Sequence, residues 1–109
     1  MNIEFHEINS SNLTIMHDCL NAIEPSLRER YYSVFGDIEI NAIPPYLVQR
    51  YGDPFYCIHA KIEGNTCAVA FMGQGQDTSI QKICGVVPLL YLSPTIDTAH
   101  VADFLDAIG

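Results

Sequence analysis

Two short segments put a thiol beside an imidazole: His17-Asp18-Cys19 and Cys57-Ile58-His59. Such pairs suit either a metal site or a cysteine nucleophile activated by a histidine base. Spacing decides what each can do. On a helix His17 and Cys19 point apart, because only residues three or four apart share a face. On a strand Cys57 and His59 share a face, and Lys61 continues it. A structural zinc site needs four ligands and a catalytic one usually three. The cross-strand neighbours expected for Cys57 and His59 are Met72 and Ala70, which supply neither imidazole nor carboxylate. The sequence therefore names no metal site, no cofactor and no catalytic residue. Cys67 falls on an apolar face, and Cys84 has no base nearby in the sequence.

Other chemistry-bearing patterns are incomplete. Gly73-Gln74-Gly75 follows a strand but lacks the helix and further glycines of a phosphate-binding loop. Neither GxSxG nor HExxH occurs. Asp37 and Glu39 are spaced as paired carboxylates, but an alternating solvated strand explains them, and the chain has no Trp to stack on a sugar.

The elements that would position these residues follow from apolar spacing. Residues 3–8 read as a strand with Ile3 and Phe5 on one face. Asn9 to Asn12 offer helix N-caps, and Leu13, Met16, Leu20 and Ile23 lie at helical spacing. Pro25 ends that helix or opens another, and Leu27, Tyr31, Val34 and Phe35 continue the stripe to Gly36. Asp37 to Asn41 alternates like a strand, which Pro44-Pro45 breaks before a short helix over residues 46–51. A hairpin joins Phe55–Ile62 to Thr66–Met72 through a type II′ turn at Gly64-Asn65. That turn sets Ile62 opposite Cys67, Ala60 opposite Val69 and Ile58 opposite Phe71. Residues 73–77 read as a loop, and residues 80–91 are β-rich. After Ser93-Pro94, Val101, Phe104, Leu105 and Ile108 form a helical stripe. The fold class is α+β: one domain over residues 1–109, with an antiparallel sheet, N-terminal helices and a C-terminal helix packed on it.

Composition excludes disorder, since 49% of residues are apolar and 17% charged. Charge is the unusual feature. Thirteen carboxylates against five Lys and Arg give −8 at pH 7. Such a surface repels nucleic acid and anionic membranes and attracts basic proteins. No apolar run reaches the ~18 residues of a membrane span, and the first residues carry no signal-like pattern. A cytoplasmic chain with reduced thiols is expected.

Without a catalytic set, the acids become the leading feature. Asp103 and Asp106 sit near the end of the last helix, where the dipole favours cations. With Asp37 and Glu39, and with Tyr31, Tyr32 and Tyr46 as aromatic contacts, they suggest a non-enzymatic surface for a basic partner. In size, acidity and lack of a catalytic set, the chain resembles the small immunity proteins that bacteria hold against their own toxins, including those of contact-dependent growth inhibition. That resemblance implies an inhibitor that neutralises a cognate nuclease toxin. The alternative is a small-molecule sensor or small enzyme using Cys57, His59 and Lys61 with the segment 73–76.

Overall fold

The centre of the molecule is a hairpin buried on both faces. Phe55 and residues 57–60 of one strand, and residues 67–71 of the next, are all buried. A strand apolar on both sides must be covered on both sides. The computed structural model describes residues 1–36, 38–52, 54–77 and 82–108, with residues 34, 75–77 and 82–84 described by their backbone alone.

Four strands form one antiparallel sheet in sequence order: β1 (Asn2–Ile8), β2 (Phe55–Ile62), β3 (Asn65–Asp77) and β4 (Lys82–Leu92). Three helices, α1 (Thr14–Ala22), α2 (Pro25–Tyr32) and α3 (Ile43–Tyr51), lie between β1 and β2, and α4 (Thr98–Ile108) follows β4. One core holds Met16, Leu20, Ile23, Ile43 and Leu47 against Phe55, Cys57, Val69, Phe71 and Tyr91. The other holds Phe104 of α4 against Ile58, Ala60, Ala68 and Ala70. The result is three layers, with the sheet in the middle. The expected α+β class, with helices from both ends of the chain packed on the sheet, is what the chain adopts.

The helix starts follow simple rules. Pro25 opens α2, and prolines lie in the first turn of α3, where their missing N–H would be unpaired anyway. Pro44-Pro45 thus begins a helix and does not merely break a strand. The alternating segment before it forms no strand either: Ile40–Ala42 is a 3₁₀ turn leading into α3. Asn9 and Asn12 do not cap α1. The Asn12 side chain accepts from the Asn9 N–H at 2.7 Å and donates to Glu7 O at 2.9 Å, which ties the β1–α1 loop together. The far end of α1 is satisfied by α2: Tyr32 donates to Leu20 O at 2.7 Å and Arg28 to Ile23 O at 2.9 Å.

The hairpin register differs from the expected one. The two turn residues are Glu63 and Gly64, both at positive φ (53° and 81°), which is the type I′ pattern. Ile62 then pairs with Asn65, and a bulge between Ala60 and Lys61 leaves Cys67 outside the pairing. Beyond it Ile58 faces Ala70, and His59 faces Val69. Moving the turn by one residue shifts the pairing by two and keeps the faces; the bulge at Cys67 brings the net shift to one, and that exchanges them.

Residues 73–77 are not a loop but the continuation of β3. A second irregularity, between Phe71 and Gly73, sets Val87 and Pro88 of β4 against Met72 alone, one residue more on β4. Pro88 is tolerated because β4 is an edge strand and the ladder is interrupted there. Gly73 lies tight against α3: an added Cβ would meet Tyr51 O, with Tyr51 Cβ at 2.7 Å and Phe55 Cδ2 at 2.8 Å. Among the described residues no helix is long and apolar enough to cross a membrane.

The start of α4 is closed by Asp97, whose Oδ1 accepts the His100 N–H at 2.8 Å while its carbonyl accepts from Val101 N–H at 3.0 Å. Two stability predictions follow from these contacts. Asp97→Ala removes the cap and should cost about 1 kcal/mol in urea unfolding. Gly73→Ala should cost about 1–3 kcal/mol, because the obstacle is backbone and cannot rotate away. A Gly73→Ala chain as stable as the parent would mean that α3 is not held where described.

Candidate functional site

β1 alternates Glu4, His6 and Ile8 on one face, as period two requires. Pairing with β2 sets Glu4 opposite His59 and His6 opposite Cys57. The side chains of Glu4, His6, Ile8, Cys57 and His59 thus point to the face covered by α1. Ile8 and Cys57 are buried in the core there, while Glu4, His6 and His59 lie nearer the hairpin turn. At that end Ile15, Asp18, Cys19 and Ala22 of α1 complete the wall of a pocket of about 360 Å³, which Lys61, Gly64 and Thr66 also line.

The two imidazoles meet edge to edge. His6 Nε2 is 3.2 Å from His59 Nε2, the ring planes differ by only 11°, and the centroids are 5.2 Å apart. The centroids are farther apart than the nitrogens, so the rings are not stacked face to face. A hydrogen bond at this contact needs one Nε2 protonated and the other bare. The Glu4 carboxylate approaches His59 Nε2 at 3.6 Å. His59 is buried, and burial pushes its pKa down; the Glu4 charge opposes this, while His6 and Lys61 reinforce it. The ring is therefore held toward its neutral form. Glu4, His6 and His59 place one ligand atom each within 4.8 Å of one another, and are the residues here able to share a metal ion.

Among the described side chains cysteine chemistry finds no support, and that of Cys84 lies outside them. Cys57 is fully buried, and its Sγ is 3.6 Å from Cys19 Sγ. The hydrogen bond with Cys19, and then burial, push the Cys57 thiol far above the usual thiol range. Cys67 is buried on the opposite core and is likewise pushed up by desolvation. Of the alternative site's three residues, His59 and Lys61 line the pocket, whereas Cys57 lies in the core as an inert thiol.

The acidic surface is not gathered on one face. Asp37 lies outside the described residues. Glu39 is exposed just before the 3₁₀ turn that enters α3, whereas Asp103 and Asp106 are exposed on α4, across the sheet. The tyrosines mostly have structural partners. Tyr31 packs edge-on against Tyr91 at 5.2 Å between centroids, Tyr32 closes α1, and Tyr46 is 39% exposed on α3.

Glu4 and His6 were not singled out in the sequence. Their period-two spacing was visible, but Ile3 and Phe5 occupy the alternate positions and suggest that the acid and the histidine face water. In fact Ile3 packs toward the α4 side, and Phe5 is 56% exposed against Tyr56.

No protein-family profile matches the chain, and no curated protein does. Among solved structures the fold is similar to that of an aminoglycoside acetyltransferase from an uncultured soil metagenomic sample. The TM-score is 0.61 at 13% identity, over 99% of this chain and 70% of that one. The likeness is one of fold. The structure it resembles is that of an enzyme and not of an immunity protein, and this overturns the expectation of a non-enzymatic inhibitor of a nuclease toxin.

The burial of the thiols is directly measurable. Cys57 and Cys67 should react with iodoacetamide at least about ten-fold more slowly in the native chain than in the denatured one, read by peptide mass spectrometry. Native labelling of Cys57 at the denatured rate would reopen a cysteine mechanism.

Proposed function

We propose that this protein is a small enzyme acting on a small cationic molecule in the pocket between β1–β2 and α1. The observation that carries the reading is the convergence of Glu4, His6 and His59 in that pocket. A cleft of this size with a few convergent polar groups is the usual form of a small-molecule site. Two carboxylates in the lining, Glu4 and Asp18, and a net charge of −8 favour an amine over an anion.

The fold likeness supports acyl transfer to an amine as the reaction class. In such a step the amine nitrogen attacks the acyl carbonyl carbon, a C–N bond forms, the bond to the leaving group breaks, and one N–H proton departs. The proton must leave the ammonium before its nitrogen can attack, and the imidazole–carboxylate cluster offers acceptors for it. The start of α4 does not favour a phosphate-bearing donor, since the Asp97 carboxylate already fills the N-terminal position where an anion would bind.

The test is to incubate the full chain with a panel of primary amines, an aminoglycoside among them, and an acetyl thioester. An amine that gains one acetyl group, detected by mass spectrometry, is the expected product. Asp18→Asn should weaken amine binding at least about three-fold, as loss of a facing charge does, while Asp106→Asn on α4 leaves it unchanged. Failure of every amine both to bind in calorimetry and to be acetylated would end this reading.

A further inference from the structure

We infer that Glu4, His6 and His59 form a binding site for a divalent transition-metal ion of the zinc type. The inference deepens the proposed function and rests on it for treating the pocket as the working site. The ligand set is two imidazoles and one carboxylate, the combination of catalytic zinc sites that keep a position open for water or substrate. Two nitrogens held ~2.05 Å from zinc at a tetrahedral angle are ~3.3 Å apart. His6 and His59 already stand at 3.2 Å, and His59 and Glu4 at 3.6 Å. All three ligand atoms lie within 4.8 Å, and the Glu4 side chain is 43% exposed, so it is free to close the remaining gap.

The surroundings fit a cation with an open position. His6 and His59 approach through Nε2, the atom each would present to the ion. Such a ligand set suits zinc, nickel or copper and not calcium or magnesium, which take oxygen ligands. Asp18 and the overall negative charge draw a cation toward the pocket, whereas Lys61 in the same wall opposes it. The pocket leaves room beside the cluster for a water or an amine. An ion held by Glu4, His6 and His59 would supply Lewis acidity, making a bound water or amine more acidic, in place of the proton acceptor that the free cluster offers.

The experiment uses the full chain after chelator treatment, titrated with zinc ion alone in a calorimeter and with cobalt(II) in a visible spectrometer. The expected result is one ion per chain and cobalt bands of a low-symmetry, four-coordinate site. Glu4→Gln and His6→Asn should each weaken binding by at least about ten-fold. Both residues are only partly buried, so these variants keep the core intact, which circular dichroism verifies. His17→Asn on α1 should leave the affinity unchanged. Absence of stoichiometric zinc binding overturns the inference, and so does an affinity unchanged in both Glu4→Gln and His6→Asn. Zinc binding without any amine binding supports the ion site and removes only the proposed reaction. Amine binding without zinc removes the ion site alone.

Discussion

A histidine on a strand buried on both faces has to find polar partners, and this requirement organises the pocket. His59 lies between Ile58 and Ala60, both fully buried. A buried imidazole left without a hydrogen bond would cost about 1–3 kcal/mol. The neighbouring strand supplies what is needed: Glu4 directly opposite and His6 two positions along the same face. Ile15, Asp18 and Ala22 of α1 and Gly64 of the hairpin turn border the opening where these groups meet. Cys57, one step deeper on the same face, is closed off by α1 and pairs with Cys19. Depth along one strand thus separates an inert thiol in the core from a buried imidazole that lines the pocket.

The same double burial explains the layers. Val69 and Phe71 of β3 point to the three N-terminal helices, while Ala68 and Ala70 point to α4. The alanine side is shallow, so one helix with one fully buried aromatic, Phe104, covers it. The larger side chains demand a thicker layer, which α1, α2 and α3 provide together. Placing the acids of α4 across the sheet from Glu39 follows from this division, and it dissolves the single acidic surface that net charge suggests.

Much of the architecture was legible from residue order. The stripe Met16, Leu20 and Ile23 lies inside as its spacing implies, and Pro25 and Gly36 mark the limits of the next helical stretch. Short-range signals failed where two local rules competed. Gly64-Asn65 and Glu63-Gly64 are both acceptable hairpin turns, and no local rule marks the bulge at Cys67 that decides which faces meet across the hairpin. Ile38 and Ile40 alternate like a strand, yet no neighbouring strand receives them, and they pack against the helical core from a 3₁₀ segment.

By itself the sequence determined most of the helices and the central hairpin, the α+β class, the strongly negative charge and the absence of the common catalytic motifs. Those properties depend on neighbours a few residues apart or on simple composition. The tertiary structure decided which of two faces each strand residue meets, because antiparallel pairing joins positions more than fifty residues apart. His6 and His59 are 53 residues apart in the chain and 3.2 Å apart in space. No periodicity within either segment encodes that contact; it exists only once β1 lies along β2 in one register and α1 leaves the end of that pair open.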